Sequence, residues 1–171
     1  MLLDALARPR IAPAAIVLVA LGALSAALIA QYVFGLAPCV LCVYQRVPYA
    51  IALGLGILGL FALRPAGLQP LLVLGAGLTF LAGAGIAGFH VGVEQHWWAG
   101  TASCATPGFD TNLSLADLQR QLDEAGSFAA CDEVVWSLFG ISMAGYNLLV
   151  SLILAVACLL TAARLRSPKP A

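Results

Sequence analysis

The sequence has little charge. Asp, Glu, Lys and Arg make up 9% of the 171 residues, against about 25% in soluble domains. So few charges cannot cover a water-facing surface, which excludes a soluble globular protein, and the 62% of hydrophobic residues excludes a disordered chain. The formal net charge is zero, so nothing attracts the chain to nucleic acid or to an acidic membrane surface. An integral membrane protein remains, with a single domain over residues 1–171.

Long uncharged windows indicate where the chain crosses the membrane. No Asp, Glu, Lys or Arg occurs in residues 11–45, 47–63, 65–93 or 134–163. A bilayer core about 30 Å thick needs roughly 20 apolar helical residues, and only helices or closed barrels satisfy the backbone in lipid. The sequence therefore predicts an all-α membrane protein, a four-transmembrane-helix bundle. Its spans are expected at about residues 14–34, 43–63, 71–89 and 141–163, and its outer loops at about 35–42 and 90–135.

A short amphipathic helix is predicted in the second outer loop. Ser114 and Asp117 approximate an N-terminal capping box. An apolar stripe follows (Leu115, Leu118, Leu122), with a polar side opposite it (Asp117, Arg120, Asp123, Glu124). Such a helix either lies on the membrane surface or covers the top of the bundle.

The basic residues predict the orientation. Six of the eight lie in the two termini and the middle loop, which four spans place on one side: Arg8, Arg10, Arg64, Arg164, Arg166 and Lys169. The positive-inside rule puts this side in the cytoplasm. Both termini are therefore predicted to be cytoplasmic, and the two outer loops are predicted to face outward.

Four of the five cysteines fall on the outward side in this topology: Cys39, Cys42, Cys104 and Cys131. An oxidising outer compartment allows disulfides to persist there. Four cysteines have three possible pairings, and two purely structural disulfides are one interpretation. Cys158 lies among leucine, alanine and valine in the fourth span and is predicted to be a packing residue.

Cys39 and Cys42 form a Cys-x-x-Cys motif. Closing so small a ring stabilises a fold only slightly, so its value lies in redox chemistry. The second span begins here, and Cys42 is expected in its first turn, at the positive end of the helix dipole. Zinc is the competing use, but it needs four ligands and usually a second such pair or two histidines. Cys104 and Cys131, 27 positions apart, form no such pair, and no metal site is predicted.

Arg46 lies four residues after Cys42, on the same helical face. An arginine at the edge of a span is costly unless it reaches the interface or serves a bound anion. It is either an anchor to lipid headgroups or a functional charge. In the second case it acts on the Cys42 thiolate or on the oxygen of a quinone that arrives from the lipid.

Two histidines mark the end of the third span. Trp97 and Trp98 follow His96 directly and are typical of an interfacial aromatic belt. His90 and His96 are six positions apart, a poor spacing for one helical face, so a plain interfacial role is predicted for both. Contact of His90 with a quinone, and haem or metal binding by the two histidines, are the alternatives.

Residues 38–46, Pro-Cys-Val-Leu-Cys-Val-Tyr-Gln-Arg, resemble the signature of the DsbB family, the quinone-reducing, disulfide-generating proteins of the bacterial inner membrane. Four spans, cytoplasmic termini and the order of the cysteine pairs agree as well, so the resemblance covers nearly the whole chain. Members often carry glutamate where this chain has Gln45. The vitamin K epoxide reductase family is a weaker match, because its loop cysteines usually precede the Cys-x-x-Cys motif.

The resemblance implies an electron relay in the bacterial inner membrane with both cysteine loops in the periplasm. Cys104–Cys131 would be the disulfide attacked by a reduced DsbA-like thioredoxin-fold oxidase, with Cys104 forming the mixed disulfide. Cys39–Cys42 would reoxidise that pair. Cys42, assisted by Arg46, would face a quinone, either ubiquinone or menaquinone. The alternatives from other classes are a structural tetraspan protein with passive disulfides and a cofactor-binding subunit that uses His90 and His96.

Overall fold

The computed structural model describes residues 10–61, 68–101 and 129–166, together with Cys104, Ser114, Ala116 and Gln119. Four helical stretches are long and apolar enough to cross a membrane: Ile11–Tyr32, Val40–Phe61, Leu68–Glu94 and Met143–Arg166. The predicted four-helix membrane fold is confirmed. Most of the predicted amphipathic helix lies outside the described residues, as do Arg8, Arg64 and Lys169.

The first span is helix α1 (Ile11–Tyr32). The second is formed by a short helix α2 (Val40–Tyr44) and helix α3 (Arg46–Phe61), with Gln45 between them. Helix α4 (Leu68–Glu94) is the third span and α5 (Met143–Arg166) the fourth. Two short antiparallel strands, β1 (Ser137–Leu138) and β2 (Ile141–Ser142), precede α5.

The spans begin and end a few residues away from the expected positions, for identifiable reasons. Helix α4 continues five residues beyond position 89, because Glu94 is buried and accepts a hydrogen bond from Ser142. The fourth span begins at Met143 rather than 141 because the β hairpin occupies the preceding residues. Phe139 and Gly140 both have positive φ, 52° and 77°, as a two-residue hairpin turn requires.

Small residues allow the helices to pack closely. Helix α4 packs against α3 and α5, and α1 packs against α3, whereas α1 and α5 are not among the closely packed pairs. A Cβ atom on Gly56 would lie 2.9 Å from Val17 Cγ2, so the backbones of α1 and α3 approach each other at this glycine. The resulting core contains residues of all four spans: Ala12, Ile16, Ala20, Tyr49, Ala52, Val73, Ala76, Phe80, Ala155, Cys158 and Ala162.

Candidate functional site

The Cys-x-x-Cys motif forms the start of the second span. Cys39 is the N-cap of α2, and its Sγ accepts a hydrogen bond from the backbone N–H of Cys42 at 3.1 Å. Cys42 therefore lies in the first helical turn, as predicted, where the helix dipole favours a negative charge. Both cysteines are free thiols in this structure.

The two sulfurs of the motif are not equivalent. The Cys39 thiol is buried and donates a hydrogen bond to Cys42 Sγ, with 2.7 Å between the sulfurs. This donated hydrogen bond, followed by burial, raises the pKa of Cys39 above its ordinary value. The arrangement keeps the proton on Cys39, which leaves Cys42, only partly buried, as the sulfur suited to carry the charge.

The second cysteine pair lies directly against the first. Cys104 and Cys131 form a disulfide with a Cα–Cα distance of 5.2 Å, the pairing that the family resemblance implies. One buried cluster brings Cys39, Cys42, Cys104 and Cys131 together, with Leu41 and Val93 packed among them. The backbone also joins the two segments, since Ala129 N–H donates to the carbonyl of Pro38 at 3.2 Å.

His90 belongs to this site, so the prediction of a plain interfacial role is wrong for this residue. Its side chain is 2% exposed, and its Nε2 lies 3.4 Å from Cys39 Sγ. The error arose because α4 continues to Glu94, so that His90 lies one turn inside the helix and faces the bundle. His96 lies beyond the helix end and is exposed, as are Trp97 and Trp98 at 69% and 45%, which fits an interfacial belt for these three.

A chain of buried and partly buried hydrogen bonds holds His90 in place. Gln45, at the junction between α2 and α3, lies with its side-chain nitrogen 2.8 Å from His90 Nδ1. The Gln45 side-chain oxygen accepts from Asn147 Nδ2 of α5. Asn147 Oδ1 in turn accepts from the Tyr49 hydroxyl at 2.7 Å, and Ser151 lies beside both. Three spans thus fix the orientation of one imidazole ring.

Glu94 is a second buried polar group, and no sequence pattern predicted its position in this site. Its side chain is buried one helical turn after His90, with 3.9 Å between Glu94 Oε1 and His90 Nε2. The other carboxylate oxygen accepts from the Ser142 hydroxyl, which itself accepts from the N–H of Gly145 at 3.1 Å. The β hairpin therefore holds a carboxylate beside the cysteines.

Arg46 is held by the first span. Its Nη1 donates to Gln31 Oε1 of α1 at 2.7 Å. Arg46 and Cys42 line the same cavity, which agrees with the predicted common face. The positive charge of Arg46 interacts electrostatically with Cys42. Both functions that the sequence suggested for Arg46, at the Cys42 thiolate and at a quinone oxygen, are therefore compatible with its position.

The cavity has a volume of about 370 Å³ and extends from the cysteines along the gap between α1 and α5. Small side chains of α1 form one wall (Ala23, Ala26, Ala27, Ala30). Its polar end carries Cys39, Cys42, Gln45, Arg46, His90, Glu94 and Asn147. An apolar gap with a few convergent polar groups is typical of a small-molecule site.

Four spans, a free dithiol and an adjacent disulfide define a membrane thiol–disulfide protein. The comparisons with known proteins agree, because the family model described as "Disulfide bond formation protein DsbB" matches residues 9–161. The chain belongs to the DsbB family. It is thus a multi-pass membrane protein of disulfide bond formation, a disulfide-forming oxidoreductase.

Curated relatives cover most of the chain. The disulfide bond formation protein B of Psychrobacter arcticus is 34% identical over 91% of this chain and 90% of its own. The protein of the same name from Chromohalobacter salexigens is 37% identical over 72% of each chain. That from Acinetobacter baumannii is 29% identical over 88% of each chain. No solved structure matches this chain.

Proposed function

We propose that the chain oxidises the dithiol of a reduced, periplasmic DsbA-like protein and that a membrane quinone receives the two electrons. The observation that carries this proposal is the meeting of two cysteine pairs, one reduced and one oxidised, in a single buried cluster. Thiol–disulfide exchange requires a thiolate that reaches a disulfide sulfur. Adjacent pairs allow electrons to pass from one to the other within the chain.

The steps within the chain balance in electrons and protons. A partner thiolate attacks the Cys104–Cys131 disulfide, so that Cys104 carries the mixed disulfide and Cys131 leaves as a thiolate. The second partner thiol then releases Cys104, and the partner gains one disulfide. A Cys39–Cys42 disulfide next oxidises Cys104 and Cys131 by the same exchange. It is left as two thiols, the form that this structure contains.

The residues around the cavity fit a quinone. Its apolar wall suits a ring and tail that arrive from the lipid, and Arg46 offers a planar set of donors to a ring oxygen. When bound, a quinone supplies an acceptor for two electrons and two protons. Such an acceptor is required, because a DsbA-like oxidant has a reduction potential of about −120 mV. Ordinary structural disulfides, with potentials below about −300 mV, cannot reoxidise it.

The proposed location is the bacterial inner membrane, with both cysteine loops in the periplasm. The distribution of basic residues supports this orientation, since Arg10, Arg164 and Arg166 lie at the ends of α1 and α5 that are remote from the cysteines. A periplasmic site also gives access to a soluble partner.

The test is a turnover assay with purified full-length protein, a reduced DsbA-like protein and either ubiquinone or menaquinone, followed by the loss of partner thiols. We expect Ser at any one of Cys39, Cys42, Cys104 or Cys131 to abolish turnover. Cys158→Ala, in the bundle core away from the site, should retain it. Full activity of Cys104→Ser would contradict the two-pair relay, and no thiol loss with either quinone would contradict the acceptor.

A further inference from the structure

Three metal-ligating atoms converge in the reduced site. Cys39 Sγ, Cys42 Sγ and His90 Nε2 all lie within 4.8 Å of one another. Cys39 and His90 are buried, and Cys42 opens to the cavity. His90 is 51 positions from Cys39 in sequence, which is why the spacing of the cysteines alone argued against a metal.

The ligand set and its geometry suit a thiophilic dication. Zinc binds thiolate sulfur at about 2.3 Å and imidazole nitrogen at about 2.0–2.1 Å in a tetrahedron. Two sulfurs of such a site are then about 3.8 Å apart, so the cysteines need to separate by roughly 1 Å from their present 2.7 Å. The 3.4 Å between Cys39 Sγ and His90 Nε2 already matches. Two thiolates also cancel the charge of a dication, which makes burial of the complex less costly.

A fourth position is available beside the three ligands. Glu94 Oε1 lies 3.9 Å from His90 Nε2, and the Glu94 charge acts on Cys42. Glu94 lines the same cavity as the three ligands, so a water molecule from the cavity can complete the tetrahedron beside this carboxylate. Three protein ligands and an open fourth position are typical of reactive zinc sites.

The hydrogen-bond partners of His90 can adapt to a metal. A neutral imidazole that binds a metal through Nε2 carries its proton on Nδ1 and needs an acceptor there. A half-turn of the Gln45 amide presents its oxygen to Nδ1 instead of its nitrogen. The Asn147 amide then makes a similar half-turn, so that its oxygen accepts from the Gln45 side-chain nitrogen. The Asn147 nitrogen now points to the hydroxyls of Tyr49 and Ser151, which can accept as well as donate.

We propose that the reduced Cys39–Cys42 pair and His90 form a binding site for a thiophilic dication of the Zn²⁺ class, and that this ion blocks the dithiol. Binding releases the thiol protons to solvent and leaves the oxidation state of sulfur unchanged, so no oxidant is needed. A Cys39–Cys42 disulfide has no thiolate to offer, so the site exists only in the reduced protein. The binding is independent of the proposed function, and only the block of turnover rests on it.

The test uses Co²⁺, which absorbs in the visible range when held in a tetrahedral thiolate site. Full-length protein is reduced, freed of reductant without oxygen and titrated with Co²⁺, and Zn²⁺ is then added to displace it. We expect a saturable spectrum in the reduced protein and none after the cysteines are oxidised. The double variant Cys104→Ser/Cys131→Ser should keep the spectrum, because its binding pair is intact.

His90→Ala should weaken binding by at least about tenfold, the smallest effect usual even for residues that only support a ligand. The matched control is His96→Ala, the exposed histidine, which should bind like wild type. Equal affinity in His90→Ala and wild type would overturn the three-ligand site. Should His90→Ala fail to fold, the comparison of reduced with oxidised wild type still decides, since a spectrum in the oxidised protein is incompatible with the proposal.

A separate measurement addresses the block. Zn²⁺ at saturating concentration should stop thiol loss in the turnover assay, and a chelator should restore it. Co²⁺ binding with unaffected turnover would overturn the block while leaving the site. Absent turnover without Zn²⁺ would count against the proposed function alone, because the Co²⁺ spectrum does not depend on catalysis.

Discussion

The Arg46 side chain is fixed in the cavity by a hydrogen bond that its guanidinium donates to Gln31. A lysine at this position keeps the charge but loses the planar set of donors. We therefore expect Arg46→Lys and Arg46→Gln to raise the apparent KM for quinone several-fold to about tenfold, with a smaller effect on kcat. The helix N-terminus already stabilises a Cys42 thiolate, which is why the binding effect should dominate. Steady-state kinetics with a quinone titration measure both constants.

A variant of Gln31 separates the positioning of Arg46 from its charge. Gln31→Leu leaves Arg46 in place but removes its acceptor, and it should raise the same KM by a smaller factor. Arg166→Lys, at the far end of α5, is the control and should change neither constant. Wild-type KM and kcat in both Arg46 variants would mean that this arginine only anchors the protein to headgroups.

Gln45 is a second residue whose role depends on contacts. It bridges His90 and Asn147, and its side chain is 6% exposed. Gln45→Leu leaves the buried His90 and the partly buried Asn147 without their partner, which costs about 1–3 kcal/mol. We expect a lower unfolding temperature in detergent, measured beside Gln95→Leu, an exposed glutamine at the end of the third span. An equal change in both variants would argue against the buried network.

The sequence predicted some residues of this site and not others. Cys39 and Cys42 were predictable as a unit, because residues three positions apart at the start of a helix lie on the same face and contact each other. His90 and Asn147, 51 and 102 positions from their partners, were not, since only the packing of α4 and α5 on the second span brings them together. The available signal for His90 was its place inside an uncharged, apolar window. The spacing to His96 obscured this signal, because it favoured a plain interfacial role for both histidines.

Helices α1 and α3 approach each other closely at Gly56. Any side chain at Gly56 meets Val17 and the Pro13 carbonyl, with 3.2 Å between the added Cβ and that oxygen. Overpacking of this kind costs about 1–3 kcal/mol. We expect Gly56→Ala to lower the unfolding temperature. Gly54→Ala, two residues earlier in the same helix with nothing within 4 Å, should not; similar losses in both would point to helix flexibility rather than packing.

Uncharged windows located all four spans, because lipid excludes charge regardless of how helices pack. They failed at the ends for a physical reason. Glu94 ended the third window, yet the carboxylate is buried against His90 and Ser142 and the helix continues through it. The hairpin at residues 137–142 falls within the fourth uncharged window because none of its residues is charged.

For the whole molecule, the arrangement of the spans explains where the site can form. Both α3 and α5 pack on α4, while α1 packs on α3, so the gap between α1 and α5 stays open. The cavity in this gap reaches the cysteine cluster. Neither charge windows nor motifs contain that information, because it depends on which helices are neighbours.

The orientation of the bundle is the last prediction, and it decides whether the cysteines can meet a periplasmic partner. Ser137 of the hairpin and Arg166 at the end of α5 are both exposed, at opposite ends of a 24-residue helix. Such a helix is about 36 Å long, enough to cross the bilayer core. We expect a membrane-impermeant maleimide to label Ser137→Cys in intact spheroplasts and Arg166→Cys only after lysis. The wild-type chain gives the background labelling. Its free cysteines Cys39 and Cys158 are buried, so this background comes from Cys42. The reverse pattern would place the dithiol in the reducing cytoplasm, where disulfides do not persist, and would remove the basis of the relay.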